Sequence, residues 1–313
     1  MFEGSEKKLE IIFSSKRPSL RSLPDKFWAD VIKSCGARII SSSKLPLIHS
    51  YILSESSMFL WDHRLVLITC GQTTLVKSLL KILKKISQDD IEIIFYQKKN
   101  ELLPWAQKSH FLNDIKHLEK YVEGQSYQFG KLHDHHFLLF HSESDYKSDT
   151  KDNTLEILMY DSEWIKDTSP KTMNLLKKKL ESLLPHFEIQ EHFFKPSGYS
   201  LNAVRDEFYY TIHITPERPC FYTSFETNFK GASSHDFINK LFEIFKSRSS
   251  DMILFRSMGQ TVKHYSPTDF FRNAFYHQVL YCGYEVSYMN FYQAQHTPQS
   301  PLVYDKQILK KDF

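Results

Sequence analysis

Four side chains in this sequence have types and neighbours suited to making or breaking bonds. The segment YILSESSMF (51–59) sets three serines and Glu55 where a strand-like run gives way to a turn. A hydroxyl such as that of Ser56 becomes a nucleophile once a base takes its proton. The plainer use of the same composition is a polar hairpin corner. Cys70 closes the apolar run LVLIT (65–69) and precedes Gly71. A thiol with a reference pKa of about 8.5 is mostly protonated at neutral pH and suits a proton donor. A lone cysteine after an apolar strand is also a small buried hydrophobe. His213 sits in FYYTIHI (208–214), between Ile212 and Ile214, and Ser200 ends PSGYS (196–200). The imidazole is a general base by type, or a sheet histidine held by hydrogen bonds.

Short runs rich in Ile, Val, Phe, Tyr and Thr must carry these groups. They predict strands over 9–13, 51–53, 64–69, 91–96, 135–141, 155–160, 208–214, 221–227 and 252–256. Apolar residues at helical spacing predict helices in KFWADVIKSC with Gly36 as a stop, and over 74–86, 169–184 and 233–247. Two stretches follow one plan, a serine corner, a short turn, a strand and then a helix, with a further strand ending FETN before the helix of the second. One runs from SESSM (54–58) to Cys70, the other from GYSLNAV (198–204) to His213, at nearly equal separations. If they are copies, Ser56, Cys70, Ser200 and His213 converge on one pocket. Duplication also predicts two similar sheet layers, each covered by helices on one face.

Composition excludes several classes. Lys+Arg 40 against Asp+Glu 37 leaves a net charge of +3, too little for a dedicated nucleic-acid binder. The 9 glycines are scattered, and none are spaced as a dinucleotide or P-loop phosphate cradle. Four cysteines, Cys35, Cys70, Cys220 and Cys282, are too few and too far apart for a disulfide framework or a zinc knuckle. They read as reduced thiols in a cytoplasmic protein. The charged start MFEGSEKKLEII and the lack of a long apolar run point to a chain that is neither exported nor membrane-spanning. His133 and His135 share a face if HDHHFLLFH is a strand, yet no Cys/His cluster completes a metal site. The Lys177 to Lys179 cluster reads as a solvated helix face.

Taken in order, FEGSEKKLE, SESS, TCG (69–71), TLEILM (154–159), PSGYS, TIHITPE (211–217) and SFETN (224–228) resemble the eukaryotic-type S-adenosylmethionine decarboxylase proenzymes, from Phe2 to about Phe229. The resemblance implies one domain over 1–313, folded as an α+β four-layer αββα sandwich of two mainly antiparallel sheets. It also implies that Ser56 attacks the carbonyl of Glu55, and that β-elimination splits the chain into 1–55 and 56–313. That leaves a pyruvoyl group on residue 56, which holds the substrate as a Schiff base and acts as the electron sink that side chains lack. By the same resemblance Ser200 and His213 serve the self-processing, Ser200 polarising the intermediate and His213 taking the proton. Cys70 returns a proton after CO2 departs.

The implied substrate is S-adenosylmethionine, and its decarboxylated product is the aminopropyl donor for spermidine synthesis. Phe2 and Phe194 match rings on either face of the adenine; Glu217 matches the carboxylate that grips the ribose. Glu55 contributes to substrate binding, and Glu3 and Glu6 match acids required near the reacting amino acid. Glu10, Asp152, Glu156 and Glu226 match an acidic site where some members bind putrescine as an activator. Ile68 stands where a lysine precedes the TCG block of animal members, so one internal counter-ion is absent there, and Ser197 replaces a cysteine. The two expected chains remain associated, with an (αβ)2 dimer as one assembly. The alternatives are an inactive regulatory partner of such an enzyme and a pyruvoyl decarboxylase of ornithine or arginine.

Overall fold

The computed structural model describes residues 6–101, 107–149, 152–216, 221–257 and 265–294. Phe2, Glu3, Glu217 and Cys220 lie outside the described residues. The first sheet is built from β1 (Glu6–Phe13), β2 (Ile39–Lys44), β3 (His49–Leu53), β4 (Ser56–Leu60), β5 (Arg64–Thr69), β6 (Ile91–Lys99), β7 (Gly124–Gly130) and β8 (His136–Ser142). The second is built from β9 (Asn153–Tyr160), β10 (Glu188–Phe193), β11 (Tyr199–Arg205), β12 (Phe208–Pro216), β13 (Phe221–Thr227), β14 (Ser249–Ser257), β15 (Phe270–Val279) and β16 (Tyr284–Gln293). The described helices are α1 (Asp25–Cys35), α2 (Val76–Leu83), α3 (Phe111–Leu118), α4 (Pro170–Glu181) and α5 (His235–Phe245).

Strand order in the first sheet is β2-β3-β4-β5-β1-β6-β8-β7, and in the second β10-β11-β12-β13-β9-β14-β16-β15. Raising each number in the first by eight gives the second, so the chain is a duplication of one strand plan. The copies are not the ones that the serine corners suggested. The β4–β5 hairpin with Ser56 and Cys70 corresponds to β12–β13, whereas Ser200 and His213 lie on β11–β12, the counterpart of β3–β4. Hairpins of similar length match equally well one strand out of register; only the order of neighbours in the sheet resolves which is which.

The chain forms four layers because each sheet is apolar on both faces. Leu9, Ile11, Phe13, Leu67 and Tyr96 pack under Trp28, Ile32 and Leu79 of the first helix layer. Ile157, Ile212 and Phe225 pack under Leu176, Leu241 and Phe242 of the second. Between the sheets, Phe95, Phe137 and Leu139 meet Ile253, Phe255 and Tyr288. A smaller cluster joins Phe59, Val66 and Ile68 to Val204 and Tyr209. β1 departs from this scheme: its helix side is apolar from Leu9 to Phe13, with Lys7 at its start, while Glu6, Lys8 and Glu10 alternate onto the side facing the second sheet and are all buried. Among the described residues no helix is long and apolar enough to cross a membrane.

Candidate active site

Ser54 and Glu55 form a two-residue turn between β3 and β4, with Leu53 paired to Ser56. Ser56 leaves that turn at φ 145°, in the half of the backbone map that favours glycine. A side-chain-bearing residue held there stores on the order of 1–3 kcal/mol. Its side chain is buried, and among the described residues the Oγ has no hydrogen-bond partner. The Glu55 carbonyl beside it is fully engaged. Cys70 donates to that oxygen twice, from its backbone N–H at 2.9 Å and from its Sγ at 3.2 Å. The register places Cys70 there, because β4 pairs with β5 and Ser56 lies opposite Thr69. Lys7 Nζ donates to the Gly71 carbonyl at 2.6 Å and so ties the next residue of the turn to β1.

The second sheet faces this hairpin with β11 and β12, where Ser200 and His213 are directly paired. Ser200 Oγ lies 2.9 Å from His213 Nδ1, and Thr211 Oγ1 lies 2.9 Å from Nε2, so both ring nitrogens are engaged. Burial strips the imidazole of water and Lys99 adds to the effect, while Glu6 opposes it; His213 is pushed down to about 4. It is therefore a neutral imidazole at physiological pH, the form that accepts a proton. Burial also opposes ionisation of Glu6, but the Lys99 ammonium at 2.8 Å overrides it and holds that carboxyl below its usual range.

Ser54, Glu55, Ser56, Cys70, Phe194, Ser197, Ser200 and His213 line one cavity of about 250 Å³. Phe194 is held on its rim by a turn that brings its N–H to the Gly198 carbonyl at 2.9 Å. Gly198 has φ 129°, and a Cβ there would meet the Phe194 Cβ at 3.3 Å, so this turn fits glycine alone.

Further in, the acidic set lies between the sheets. Lys8 Nζ sits 2.9 Å from Glu156, 2.8 Å from Glu226 and 3.5 Å from Glu10. Lys99 bridges Glu6 at 2.8 Å and Glu156 at 2.6 Å; Arg64 pairs with Glu10 and, at 2.9 Å, with Asp152. Burial and the neighbouring Glu156 raise Glu226, whereas the two lysines overcome burial to lower Glu156.

The profile of the adenosylmethionine decarboxylase family matches residues 1–300. The chain belongs to that family. S-adenosylmethionine decarboxylase proenzymes of Leishmania donovani (35% identity, 81% of this chain, 73% of that one) and Drosophila melanogaster (35%, 78% and 80%) are among its relatives. That of Xenopus laevis is 32% identical over 81% of this chain and 83% of its own. The crystal structure of the Trypanosoma brucei AdoMetDC-delta26 monomer shares the fold, at TM-score 0.58 and 22% identity over 75% of this chain and 98% of that one. Adenosylmethionine decarboxylases are carboxy-lyases, and the four-layer duplicated sandwich read from the sequence is the fold found here.

Ser56, Cys70, Ser200 and His213 line one cavity with Glu55 and Phe194, although the pairing of copies from which the convergence of the first four was expected is not the one found. Glu10, Glu156 and Glu226 surround one ammonium, and Asp152 joins them through Arg64. Sequence reasoning missed that ammonium. Its signal was the charged alternation EKKLE in a strand that should otherwise be apolar on both faces. Thr211, Asn202 and Ser57, which bind one another behind His213, carried no signal in the sequence. His133 and His135 precede β8 in a turn, and His135 is bound to Asp251 at 2.8 Å. Among the described residues no three metal-ligating side chains gather. Lys177, on α4, pairs with Glu191 at 2.8 Å.

Proposed function

We propose that the chain is a self-processing proenzyme that cuts itself between Glu55 and Ser56 and then decarboxylates S-adenosylmethionine for polyamine synthesis. The observation that carries this reading is the unpartnered, buried Ser56 Oγ at positive φ next to a carbonyl held by two donors of Cys70. Those donors polarise the carbonyl and match the charge that grows on its oxygen when a nucleophile adds. Release of backbone strain favours the same step.

The bonds change as follows. Ser56 Oγ adds to the Glu55 carbonyl carbon, the peptide C–N bond breaks, and an ester to a free amine at residue 56 results. His213 takes the proton from Cα of residue 56; the C–O bond breaks, and Glu55 leaves as a new C-terminal carboxylate. The dehydroalanine left behind takes up water and loses ammonia, which makes the pyruvoyl group. Ser56 fits that role because it directly follows the scissile carbonyl and its Oγ has no hydrogen-bond partner among the described residues, whereas the Cys70 thiol is already engaged as a donor to that carbonyl. Once formed, the group supplies the electron sink for the carbanion left when CO2 departs.

The remaining residues bind and protonate. Phe194 offers a ring face to the adenine and the sulfonium, and stacking of that kind contributes roughly 1–3 kcal/mol. Phe2 is its proposed partner, with Glu217 on the ribose and Glu3 and Glu6 near the amino acid. Cys70, 3.2 Å from the Glu55 carbonyl, is placed to hand a proton to Cα of the substrate. At the acidic set, Lys8 does the work of the missing lysine. It pairs across the strand with Ile68, so its ammonium reaches the carboxylates from the neighbouring position. With Lys8 and Arg64 as built-in counter-ions, putrescine is dispensable and changes activity by less than about twofold, a shift well under 1 kcal/mol.

Intact-mass measurement of the purified protein tests the reading. The expected result is two chains, residues 1–55 and 56–313, the second lighter than its sequence by the change from serine to pyruvoyl. A Ser56→Ala variant stays whole and releases no CO2 from S-adenosylmethionine. A single uncut wild-type chain of 37.1 kDa would refute self-processing. CO2 release from ornithine or arginine instead would leave processing intact and overturn the substrate.

A further inference from the structure

A chain of buried hydrogen bonds runs behind His213 from one sheet to the other. Its first link is fixed by the backbone. Asn202 donates its Nδ2 to the Tyr51 carbonyl at 3.0 Å, and a carbonyl accepts only a donor, so Oδ1 must face the other way. Ser57 Oγ then donates to Asn202 Oδ1 at 2.5 Å. Thr211 Oγ1 lies 2.9 Å from the same Oδ1 and 3.0 Å from the Leu201 carbonyl. Both are acceptors, and Thr211 has a single hydroxyl proton to give. With the proton given to either of these oxygens, the hydroxyl turns a lone pair toward His213 Nε2, 2.9 Å away.

We propose that Thr211, held by Asn202 and Ser57, is a positioning residue that fixes the tautomer of His213, with the proton on Nε2 and a bare Nδ1 aimed through Ser200 at the cavity. The inference rests on the reading of His213 as the base of self-processing. In a neutral imidazole one nitrogen carries the proton, and a base whose bare nitrogen faces the wrong way is inactive until the ring exchanges its proton. Thr211 removes that ambiguity. It follows that the Ser200 hydroxyl donates to Nδ1 at 2.9 Å and is committed to the base before cleavage starts. The chain also spans the interface that matters: Ser57 adjoins the scissile serine on β4, whereas Asn202, Thr211 and His213 belong to β11 and β12. Alignment of nucleophile and base is thereby tied to contact between the sheets.

Two measurements decide it. In the uncleaved Ser56→Ala protein labelled with 15N-histidine, the His213 signals should show a pyridine-type Nδ1 and a pyrrole-type Nε2. A pyrrole-type Nδ1 would overturn the proposal, whatever happens to cleavage. Introducing Thr211→Val into that protein should mix the tautomers, and Thr211→Ser should restore the single form. With Ser56 present, Thr211→Val should cleave about tenfold more slowly, the worth of one hydrogen bond, and Thr211→Ser at close to the wild-type rate. Wild-type cleavage by the valine variant would sink the tautomer role and leave the processing reading standing. Failure of the wild-type chain to cleave would sink the processing reading, while the nitrogen signals would still judge Thr211. If the valine variant does not fold, the signals of the Ser56→Ala protein alone decide.

Discussion

His213 is the residue whose environment makes the clearest demand on solution conditions. Burial depresses its pKa from 6.5 to about 4. The imidazole is therefore already neutral at pH 6, and self-cleavage should keep one rate from about pH 6 to about pH 8 and fall only below about pH 5. A timed cleavage assay in refolded precursor checks this; a midpoint near 6.5 would mean an exposed imidazole. The same shift affects stability. The unfolded chain binds a proton at His213 between pH 6.5 and about 4 where the folded chain does not, so the folded state loses stability as pH falls through that window. The loss is on the order of 3 kcal/mol. In the Ser56→Ala background, urea unfolding at about pH 7 and about pH 4.5 should show most of it, and a His213→Gln variant should show that much less acid sensitivity.

At the scale of elements, the hairpins and the turn before β11 set the geometry. Gly198 holds Phe194 at the cavity rim with φ 129°, and an added Cβ would press on Phe194. Gly198→Ala should cost on the order of 1–3 kcal/mol, raise KM for S-adenosylmethionine and leave cleavage nearly unchanged, since Ser56 and His213 lie on other elements. Melting temperature and steady-state kinetics separate the two effects. All nine predicted strands formed; β11 and β16 went unread although both are buried, and so did the edge strand β15. β2 (IISSSK), β7 (GQSYQFG) and β10 (EIQEHF) went unread because they are edge or near-surface strands with mixed polar sequences, whose pairing is supplied by the sheet rather than by their own pattern. α3 (FLNDIKHL) was missed because it is barely two turns long. SESSM read as a corner, yet its Ser56 opens β4; a two-residue turn leaves too little sequence to mark where it stops.

The whole molecule explains why a cut chain should stay together. β1 lies inside the first sheet between β5 and β6, and α1 packs in the helix layer above it. Cleavage after Glu55 therefore severs no sheet contact, and fragments 1–55 and 56–313 should co-elute in native gel filtration and separate only in denaturant. Separation under native conditions would contradict the topology. The charge network is also a property of the whole. Lys8 on β1 serves Glu156 on β9 and Glu226 on β13, so it joins the two sheets through an ion cluster. Lys8→Met should strand these carboxylates at a cost of about 3–5 kcal/mol. Putrescine should raise the melting temperature of that variant and barely move the wild type. An equal shift in both would show that Lys8 is not the counter-ion.

The sequence by itself determined the family, the four-layer class and the set Ser56, Cys70, Ser200 and His213, because short specific blocks recur wherever a reaction needs those atoms. Only the tertiary structure decided how they are arranged. That the Glu55 carbonyl receives two donors from Cys70 depends on the register of β4 and β5. The tautomer of His213 depends on Thr211 and Asn202, which have neighbouring positions only because β11 and β12 pair. The true pairing of the duplicated halves depends on strand order, and the counter-ion of the acidic set depends on Lys8 lying across from Ile68. Each is a contact between residues distant in sequence, set by sheet pairing, and no local pattern of residues specifies which strands will be neighbours.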